Sequence, residues 1–441
     1  MVEQTGVAAG RRNALSSEHK KVLTGSMVGT TIEWFDFFIY AQAAGLIFAA
    51  QYFNPASDAS ASFGQIVSWA SLGISFLFRP LGAIVAGHLG DRLGRKPVLI
   101  VTLVGMGVAT MLMGFLPTYE TIGVAAPILL VLLRIMQGLS AGGEWGGAAL
   151  LTVEHAPNGQ RGYFGAYPQI GAPAGMVLAT VFMLVLTAML TPEQFNAWGW
   201  RIPFLSSVIL IVVGYLIRQT VEESPAFAEM QELQRHSSAP LSELLGKHLK
   251  AVFACAFIFA GNNAIGYYLI AYFLSYGTKV VGYQRIDILS ATLVGAMVWL
   301  AATLWSGALS DKYGRRRVTI IGYVGAGLWV IPMWKLVDSG NVAMFYIAVI
   351  VLAIFLSINY GPMSALFAEM FPVRVRLSGV SIAYAIGSTM GGAFAPMISE
   401  ILYKEFRTSL AIAVYCLVMV AIGITGCVMV PRAAQDRDLS V

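Results

Sequence analysis

The sequence predicts an all-α membrane protein of twelve transmembrane helices, and three observations carry that prediction. Hydrophobic residues make up 57% of the 441 residues and charged residues 12%, and the mean hydropathy is +0.71. Twelve apolar runs reach the ~20 residues that a helix needs to cross ~30 Å of hydrocarbon. A charged turn motif occurs twice, once in each half of the chain. This composition excludes a soluble surface and indicates a polytopic membrane protein.

A polar segment at 220–249 divides the apolar runs into two groups of six. We therefore expect a cytoplasmic tail at 1–21, a six-helix bundle at 22–219, a cytoplasmic linker at 220–249, a second six-helix bundle at 250–430 and a cytoplasmic tail at 431–441. The transmembrane helices are predicted at 22–50, 63–88, 97–116, 122–153, 162–190, 201–219, 250–278, 286–309, 318–336, 342–369, 376–402 and 408–430.

The distribution of basic residues predicts the orientation of these helices. With the N-terminus inside, 20 of the 28 Lys and Arg residues fall on the cytoplasmic side, 6 on the external side and 2 within spans. This asymmetry places both termini in the cytoplasm. Residues 1–21 are polar and show no cleavable signal, so the first apolar run is expected to remain as a spanning helix.

Two sequence motifs are duplicated between the halves. The turn Gly87–Val98 is matched in the same register by Gly307–Val318, and Glu154-His-Ala-Pro157 is matched by Glu369-Met-Phe-Pro372. Each Gly-broken, charged turn lies between two apolar runs, as expected where a chain leaves the bilayer and returns. Two parallel repeats of six helices are the arrangement of a transporter that moves around a binding site near the membrane midplane.

Both turns resemble the signature loop of the major facilitator superfamily, and Arg134-Ile-Met-Gln137-Gly138 resembles its Arg-x-x-Gln-Gly motif. More specifically, Ile32–Tyr40, Phe78–Gly82 and Gly142–Gly147 resemble the metabolite:proton symporter family. Gly142–Leu151 and Trp198–Pro203 are similar to its bacterial shikimate-type branch. The resemblance implies a major facilitator fold in the bacterial inner membrane. It also implies proton-coupled carriage of a metabolite such as shikimate, 2-oxoglutarate, citrate, an aromatic acid, proline or betaine.

We therefore predict proton-coupled uptake, by alternating access, of a small organic acid such as shikimate or a related cyclic, aromatic or dicarboxylic acid. Uptake of a zwitterionic osmolyte and proton-coupled export are the alternatives. The short tail after Pro431 counts against an osmosensor, and Gly171–Gly175 faintly resembles a motif of antiporters. The five His residues show no metal or triad spacing, so no enzyme activity, metal or cofactor is expected. The expected partners are the organic anion, the proton and the lipid bilayer; nucleic acid is not expected, and the chain is expected to act as a monomer.

Ionisable residues inside predicted spans are costly and call for an explanation. Glu33 and Asp36 lie three apart in the first span, and Arg134 falls at a similar depth in the fourth. One interpretation is a structural network of ion pairs. The other is that a carboxylate, foremost Asp36, exchanges a proton while an arginine, foremost Arg134 and then Arg79, binds the substrate anion. The residues predicted to couple the proton are Asp36, Glu33, Arg134 and Glu144.

Polar and aromatic residues near mid-depth complete the predicted substrate site, although any one of them could be packing alone. The predicted substrate-binding residues are Arg134, Arg79, Tyr40, Gln137, Asn262, Asn263, Tyr267, Trp299, Asn359 and Tyr384. Acidic residues in the duplicated turns oppose the positive-inside pattern, and the family resemblance implies that they act in gating. The predicted gating residues are Asp91, Arg95, Asp311, Arg315, Glu154 and Glu369, with Arg161 and Arg376 as further partners.

Overall fold

The computed structural model describes residues 17–53, 61–93, 95–142, 144–157, 159–220, 240–372 and 375–431. Within these residues the chain is helical and contains no strand, which confirms the predicted all-α class. Most of the predicted linker and both predicted tails lie outside the described residues, so the five-part division remains a prediction. The longer helices are α1 Ser17–Ala43, α2 Ala61–Leu93, α3 Arg95–Phe115, α4 Ala125–Ala141, α5 Glu144–Glu154, α6 Arg161–Met189, α7 Arg201–Thr220, α8 Leu249–Tyr267, α9 Arg285–Tyr313, α10 Arg315–Val337, α11 Val342–Tyr360, α12 Met363–Met370, α13 Arg376–Gly391, α14 Ala395–Phe406 and α15 Ser409–Met429.

Each of the twelve predicted spans overlaps one of these helices or a consecutive pair of them. Among the described residues, nine helices are long and apolar enough to cross a membrane, and a bent pair at 192–216 makes a tenth. A further apolar helix, Ile100–Phe115, is shorter. An apolar run in lipid forms a helix because its backbone polar groups must be satisfied within the segment.

The helices are interrupted at defined places. The first span continues beyond α1 as the π-helical segment Ala44–Phe53, and the seventh continues beyond α8 through further π-helical turns to Val281. Between α9 and α10, Gly314 adopts φ 93° within the second charged turn. A positive φ favours glycine because a side chain would clash with the backbone. The first helix of each half is therefore irregular at the end predicted to face outward.

Helix α6 lies between the two halves of the chain, packing against both α1 and α9. Glycines allow the close approach on both sides: a Cβ atom on Gly175 would lie 2.7 Å from the backbone nitrogen of Phe35 in α1. One on Gly307 in α9 would lie 2.6 Å from the carbonyl oxygen of Gly162. Small residues at helix contacts are typical of membrane proteins, where tight packing rather than water exclusion drives association. The halves thus meet along α6.

Candidate functional site

A buried ion pair joins α1 to α2 in the N-terminal half. The Nη2 atom of Arg79 lies 3.3 Å from Oε1 of Glu33, and the two side chains are 2% and 0% exposed. The guanidinium group also lies over aromatic rings, 4.3 Å from the ring centre of Phe37 and 4.7 Å from that of Phe76. Phe78-Arg79-Pro80 lies within α2, which continues through Pro80. Two residues that the sequence selected are thus in contact.

Two of the three guanidinium nitrogen atoms of Arg79 make no hydrogen bond among the described residues. Its Nε and Nη1 atoms are buried and make no hydrogen bond of normal geometry to any group in the part of the chain that the structure describes. Tyr384 of α13 lies close enough to interact with the guanidinium group, and its hydroxyl group is likewise unbonded there. Unsatisfied buried donors are rare and costly, so each calls for a partner. Arg79 therefore presents unused N–H groups beside the C-terminal half.

Arg134 differs from Arg79, because its guanidinium N–H groups donate hydrogen bonds to neighbouring groups of the protein. Nη2 donates to the carbonyl oxygen of Leu72 at 2.8 Å and to Oγ of Ser75 at 2.7 Å, and Nη1 donates to Oε1 of Gln137. The guanidinium carbon lies 3.8 Å from the ring centre of Tyr40. Arg134 thus fastens α4 to α2. The structure gives it fewer free donors than Arg79, although the sequence ranked it first as the anion-binding residue.

Asp36 is 1% exposed and accepts hydrogen bonds from two hydroxyl groups, Thr110 Oγ1 at 3.0 Å and Ser207 Oγ at 2.8 Å. Gln137 Nε2 donates to the same Thr110 hydroxyl at 2.9 Å. A continuous hydrogen-bonded chain therefore runs from Arg134 through Gln137 and Thr110 to Asp36. Within the described residues no Lys or Arg side chain forms an ion pair with Asp36, which separates it from Glu33.

A small internal cavity lies where the halves meet. Its space is no larger than about one water molecule needs, so any larger molecule enters only after the helices move apart. Among the residues selected from sequence, Asn262, Asn263 and Trp299 line it, whereas Asn359 stands behind it and accepts a hydrogen bond from Asn262. The lining residues are Trp34, Ala172, Phe259, Asn262, Asn263, Gly266, Ile270, Trp299 and Tyr360.

The other selected residues surround this centre without lining the cavity. Tyr267 is 1% exposed and packs edge-on against Phe76, with 5.9 Å between ring centres. Tyr40 bonds Ser71 at 2.7 Å through its hydroxyl group. Glu144 is 4% exposed in the first turn of α5. These placements keep all three near the centre but give none of them a direct position in the cavity wall.

An aromatic stack closes the centre between the halves. The ring of Trp145 in α5 lies 4.0 Å from that of Tyr384 at an angle of 12°, and Tyr384 lies 4.2 Å from Phe259. The Trp145 indole donates to Gln169 Oε1 at 3.0 Å, and Gln169 Nε2 donates to the carbonyl oxygen of Tyr360 at 3.1 Å. The stack and this bridge join the two halves, so both must break when the halves separate there.

The second charged turn contacts the N-terminal half at what we name the inner seam, formed by Asp311 and Arg376 with their partners across the halves. Asp311 accepts hydrogen bonds from the backbone N–H groups of Gly162 at 2.7 Å and Tyr163 at 2.9 Å. These are among the first N–H groups of α6, which lack partners within the helix and carry its positive dipole end. Arg376 Nη1 donates to Glu154 Oε1 at 3.1 Å, also across the halves.

Arg315 extends the inner seam within the C-terminal half. Its Nη2 atom lies 3.0 Å from Asp311 Oδ1 and 3.4 Å from Glu369 Oε1. The predicted gating residues Asp91 and Arg95 belong to the first turn, and their side chains lie outside what the structure describes. Among the residues whose side chains are described, the inner seam contains residues of the second turn, of the duplicated Glu-x-x-Pro segments and of the first turn of α6.

The halves also meet at the end predicted to face outward, at what we name the outer seam. Lys279 Nζ donates to the carbonyl oxygen of Gly45 at 3.1 Å and to Gln65 Oε1. Gln65 Nε2 in turn donates to the carbonyl oxygen of Ala44 at 3.0 Å. Both carbonyls belong to the first residues of the π-helical segment, where the helical hydrogen-bond pattern changes. Thr389 adds a bond to the carbonyl oxygen of Phe76 at 3.1 Å.

Sequence reasoning missed three residues of this region as site residues: Trp34, Trp145 and Lys279. Trp34 and Trp145 each adjoin a residue that was selected, Glu33 and Glu144, which was an available signal. Lys279 is a basic residue at an end where the positive-inside pattern does not require one. With both seams made and the cavity small, the part of the chain that the structure describes is closed at both ends.

The sequence matches two family descriptions: residues 21–242 match "Sugar (and other) transporter", and residues 286–440 match "Major Facilitator Superfamily". Among curated proteins, the chain is 37% identical to the inner membrane metabolite transport protein YhjE of Escherichia coli K12, covering 88% of this chain and 89% of that one. It is 36% identical to the Escherichia coli K12 shikimate transporter (91% and 92% covered). It is 32% identical to the proline/betaine transporter of Salmonella typhimurium LT2 (95% and 85% covered).

Among solved structures, the chain is similar to a proton:xylose symporter bound to 6-bromo-6-deoxy-D-glucose, with a TM-score of 0.76 at 18% identity over 95% of this chain and 97% of that one. At this identity the similarity establishes the fold. The curated relatives are transporters that match over most of their length, so the chain is a multi-pass membrane transporter and not an enzyme. On this evidence the chain belongs to the major facilitator superfamily, in its sugar (and other) transporter family.

Proposed function

We propose that this protein takes up a small organic anion together with a proton, and that Arg79 holds the carboxylate of the substrate. The observation that carries the proposal is the pair of unused N–H groups on Arg79, buried beside the cavity between the halves. A guanidinium group donates strong, charge-assisted hydrogen bonds to a carboxylate and stays charged in proteins. An incoming carboxylate satisfies donors that the protein leaves unsatisfied. The 36% identity to a shikimate transporter supports a cyclic carboxylic acid as the first substrate to test.

The ion pair supplies a mechanism for coupling to the proton. While Glu33 is ionised, it holds Arg79 at 3.3 Å and competes with the substrate for the same guanidinium group. Protonation of Glu33 removes that competition, so proton and anion bind cooperatively and leave together. Asp36 is the second candidate for the proton. It contacts hydroxyl groups and reaches Arg134 through Thr110 and Gln137, so its protonation state acts on the packing of α4 against α2.

The test is uptake into proteoliposomes. Labelled shikimate, protocatechuate, 2-oxoglutarate and betaine are offered with and without an inward proton gradient, to the wild type and to Glu33→Gln and Asp36→Asn. The control is Asp338→Asn, since Asp338 also accepts a hydroxyl hydrogen bond, from Tyr276 at 2.7 Å, but is exposed and does not line the cavity.

We expect the wild type to accumulate at least one acid against its gradient when the proton gradient is applied. The variant that lacks the coupling carboxyl group should retain exchange of labelled for unlabelled substrate but lose accumulation, while Asp338→Asn accumulates normally. Accumulation that is independent of the proton gradient, or that survives in both carboxyl variants, contradicts proton coupling through α1.

A second candidate is uptake of a quaternary ammonium osmolyte, and one observation favours it. Four aromatic side chains line the cavity: Trp34, Phe259, Trp299 and Tyr360. Aromatic rings bind quaternary ammonium groups through their faces, and Arg79 could hold the carboxylate of betaine. The proline/betaine transporter is 32% identical to this chain. Accumulation of betaine but of none of the three acids in the same assay selects this function.

A further inference from the structure

We propose that the cavity recognises the end of the substrate remote from its carboxylate, and that this end carries oxygen acceptors such as hydroxyl groups, a carbonyl group or a second carboxylate. The recognition elements are the indole N–H groups of Trp34 and Trp299 and the amide of Asn263. The inference rests on the proposed function, because it takes the carboxylate at Arg79 as the other end of the ligand.

The observation is that three residues of the cavity wall hold unused donors. Trp34 Nε1, Trp299 Nε1 and Asn263 Nδ2 are buried with no hydrogen-bond partner among the described residues. Their side chains belong to residues that are 3%, 3% and 5% exposed, and all three residues line the same cavity. Asn262, which also lines it, is already bonded to Asn359. Three residues with unsatisfied donors thus line one small cavity.

An unpartnered indole is not by itself informative in this chain. Trp69, Trp200 and Trp334 are also buried with unbonded N–H groups, and none of them is part of the cavity wall. Trp200 and Trp334 pack against aromatic rings, and Trp200 also lies 4.5 Å from the guanidinium carbon of Arg201. Convergence of two indoles and an amide from three different helices, α1, α8 and α9, on one cavity is what separates the proposed donors from these.

All three unused groups are N–H donors, which defines the chemistry of the ligand. A donor is satisfied by an oxygen lone pair, and neither a hydrocarbon end nor an ammonium end offers one. Leaving a buried donor unpaired costs free energy, so a site of this kind rejects an analogue that lacks the acceptor. The lining predicts an acid that bears oxygen at both ends rather than an apolar monocarboxylate.

The positions of the two subsites fit a small molecule. The guanidinium carbon of Arg79 lies 5.8 Å from the ring centre of Trp34, so the carboxylate subsite adjoins the cavity wall. A ligand of one ring, or of a short chain with polar ends, spans that separation. The closed structure holds no room for it, so these contacts form when the helices have separated to admit the ligand and then close on it.

The experiment measures the apparent affinity of the purified protein, in proteoliposomes, for three pairs of acids. Each unlabelled acid competes with the labelled acid that the protein exchanges fastest. The pairs are shikimate with cyclohex-1-ene-1-carboxylate, protocatechuate with benzoate, and succinate with butyrate. Each pair keeps one carboxylate and differs in the oxygens of the remote end. The variants are Trp34→Phe, Trp299→Phe and the matched control Trp200→Phe, each of which removes one unbonded indole N–H and keeps an aromatic ring.

In the wild type we expect the oxygen-rich member of at least one pair to bind roughly tenfold or more tightly than its partner, the scale of one or two ligand hydrogen bonds. Trp34→Phe or Trp299→Phe should reduce that preference roughly tenfold, mainly by weakening the oxygen-rich member. Trp200→Phe should leave it unchanged. Asn263→Leu, checked by thermal melting for folding, should act in the same direction.

The outcomes separate this inference from the proposed function. If acids bind and the oxygen-free members bind equally well, or if the preference survives both Trp34→Phe and Trp299→Phe, the inference is wrong and anion uptake stands. If no acid binds or accumulates and betaine does, both fail. Equal weakening of both members of a pair by the tryptophan variants also overturns the inference, because it shows a loss of packing and not of a hydrogen bond.

Discussion

Removing the charge of Arg79 separates a structural role of the buried pair from an anion-binding role. Arg79→Gln leaves Glu33 buried without its basic partner in a pair whose side chains are 2% and 0% exposed. Breaking a buried pair by removing one partner typically costs about 3–5 kcal/mol, because a buried charge is left uncompensated. We expect a clear fall in the melting temperature of the purified variant. The double variant Glu33→Gln with Arg79→Gln removes both charges, and we expect most of that loss to be restored.

Transport should not follow stability in this series. Glu33→Gln alone should bind and exchange the substrate anion without a requirement for protons, because Arg79 is then permanently available. The double variant should be folded but unable to exchange the anion. The assay pairs thermal melting with exchange in proteoliposomes for all three variants. If the double variant exchanges the anion at the wild-type rate, Arg79 does not bind it, and the pair is a structural network as the alternative reading of the sequence held.

Two further predictions concern the seams. Asp311→Asn removes the charge that strengthens two hydrogen bonds of the inner seam and should weaken them by about 1–3 kcal/mol in total. A cysteine placed at Ala166, beside the inner seam, should then react faster with a thiol reagent applied from the cytoplasmic side. An unchanged rate contradicts a closing role for Asp311. Lys279→Gln loses the charge that holds the outer seam, so a cysteine at Ala393 should become more reactive from outside. Lys404→Gln is the matched control, because the structure describes no hydrogen bond or ion pair for Lys404, and equal effects of the two lysine variants would refute the assignment.

The helices could be predicted from the sequence because membrane insertion depends on the hydropathy of about 20 consecutive residues, which is read directly from the sequence. The eighth span, predicted at 286–309, is observed as Arg285–Tyr313, since a helix continues through its charged end until Gly314 stops it. The same reasoning did not find the π-helical continuation at Ala44–Phe53. That segment is as apolar as a regular helix, and its geometry depends on what packs against it.

The partners of the buried charges could be predicted only in part. Glu33 and Asp36 are three residues apart, so their side chains differ by about 60° around the helix, which is enough to direct one toward α2 and the other toward α3 and α7. Sequence spacing indicated one shared face. Likewise, the depth of Arg134 and Arg79 in the membrane could be estimated from the sequence. Whether the N–H groups of each guanidinium already have hydrogen-bond partners depends, however, on backbone carbonyl groups of a neighbouring helix. Such contacts leave no pattern in the sequence.

The aromatic stack at the centre also bears on proton leakage through the closed protein. Protons cross a protein along a file of water molecules or titratable groups, and neither the ring faces of this stack nor a cavity of about one water molecule supplies such a file. Each proton that slipped through uncoupled would dissipate about 2.3 kcal/mol for every 100 mV of membrane potential. If transport is coupled to protons as proposed, the packing of Trp145 against Tyr384 limits that loss as well as closing a path for the substrate.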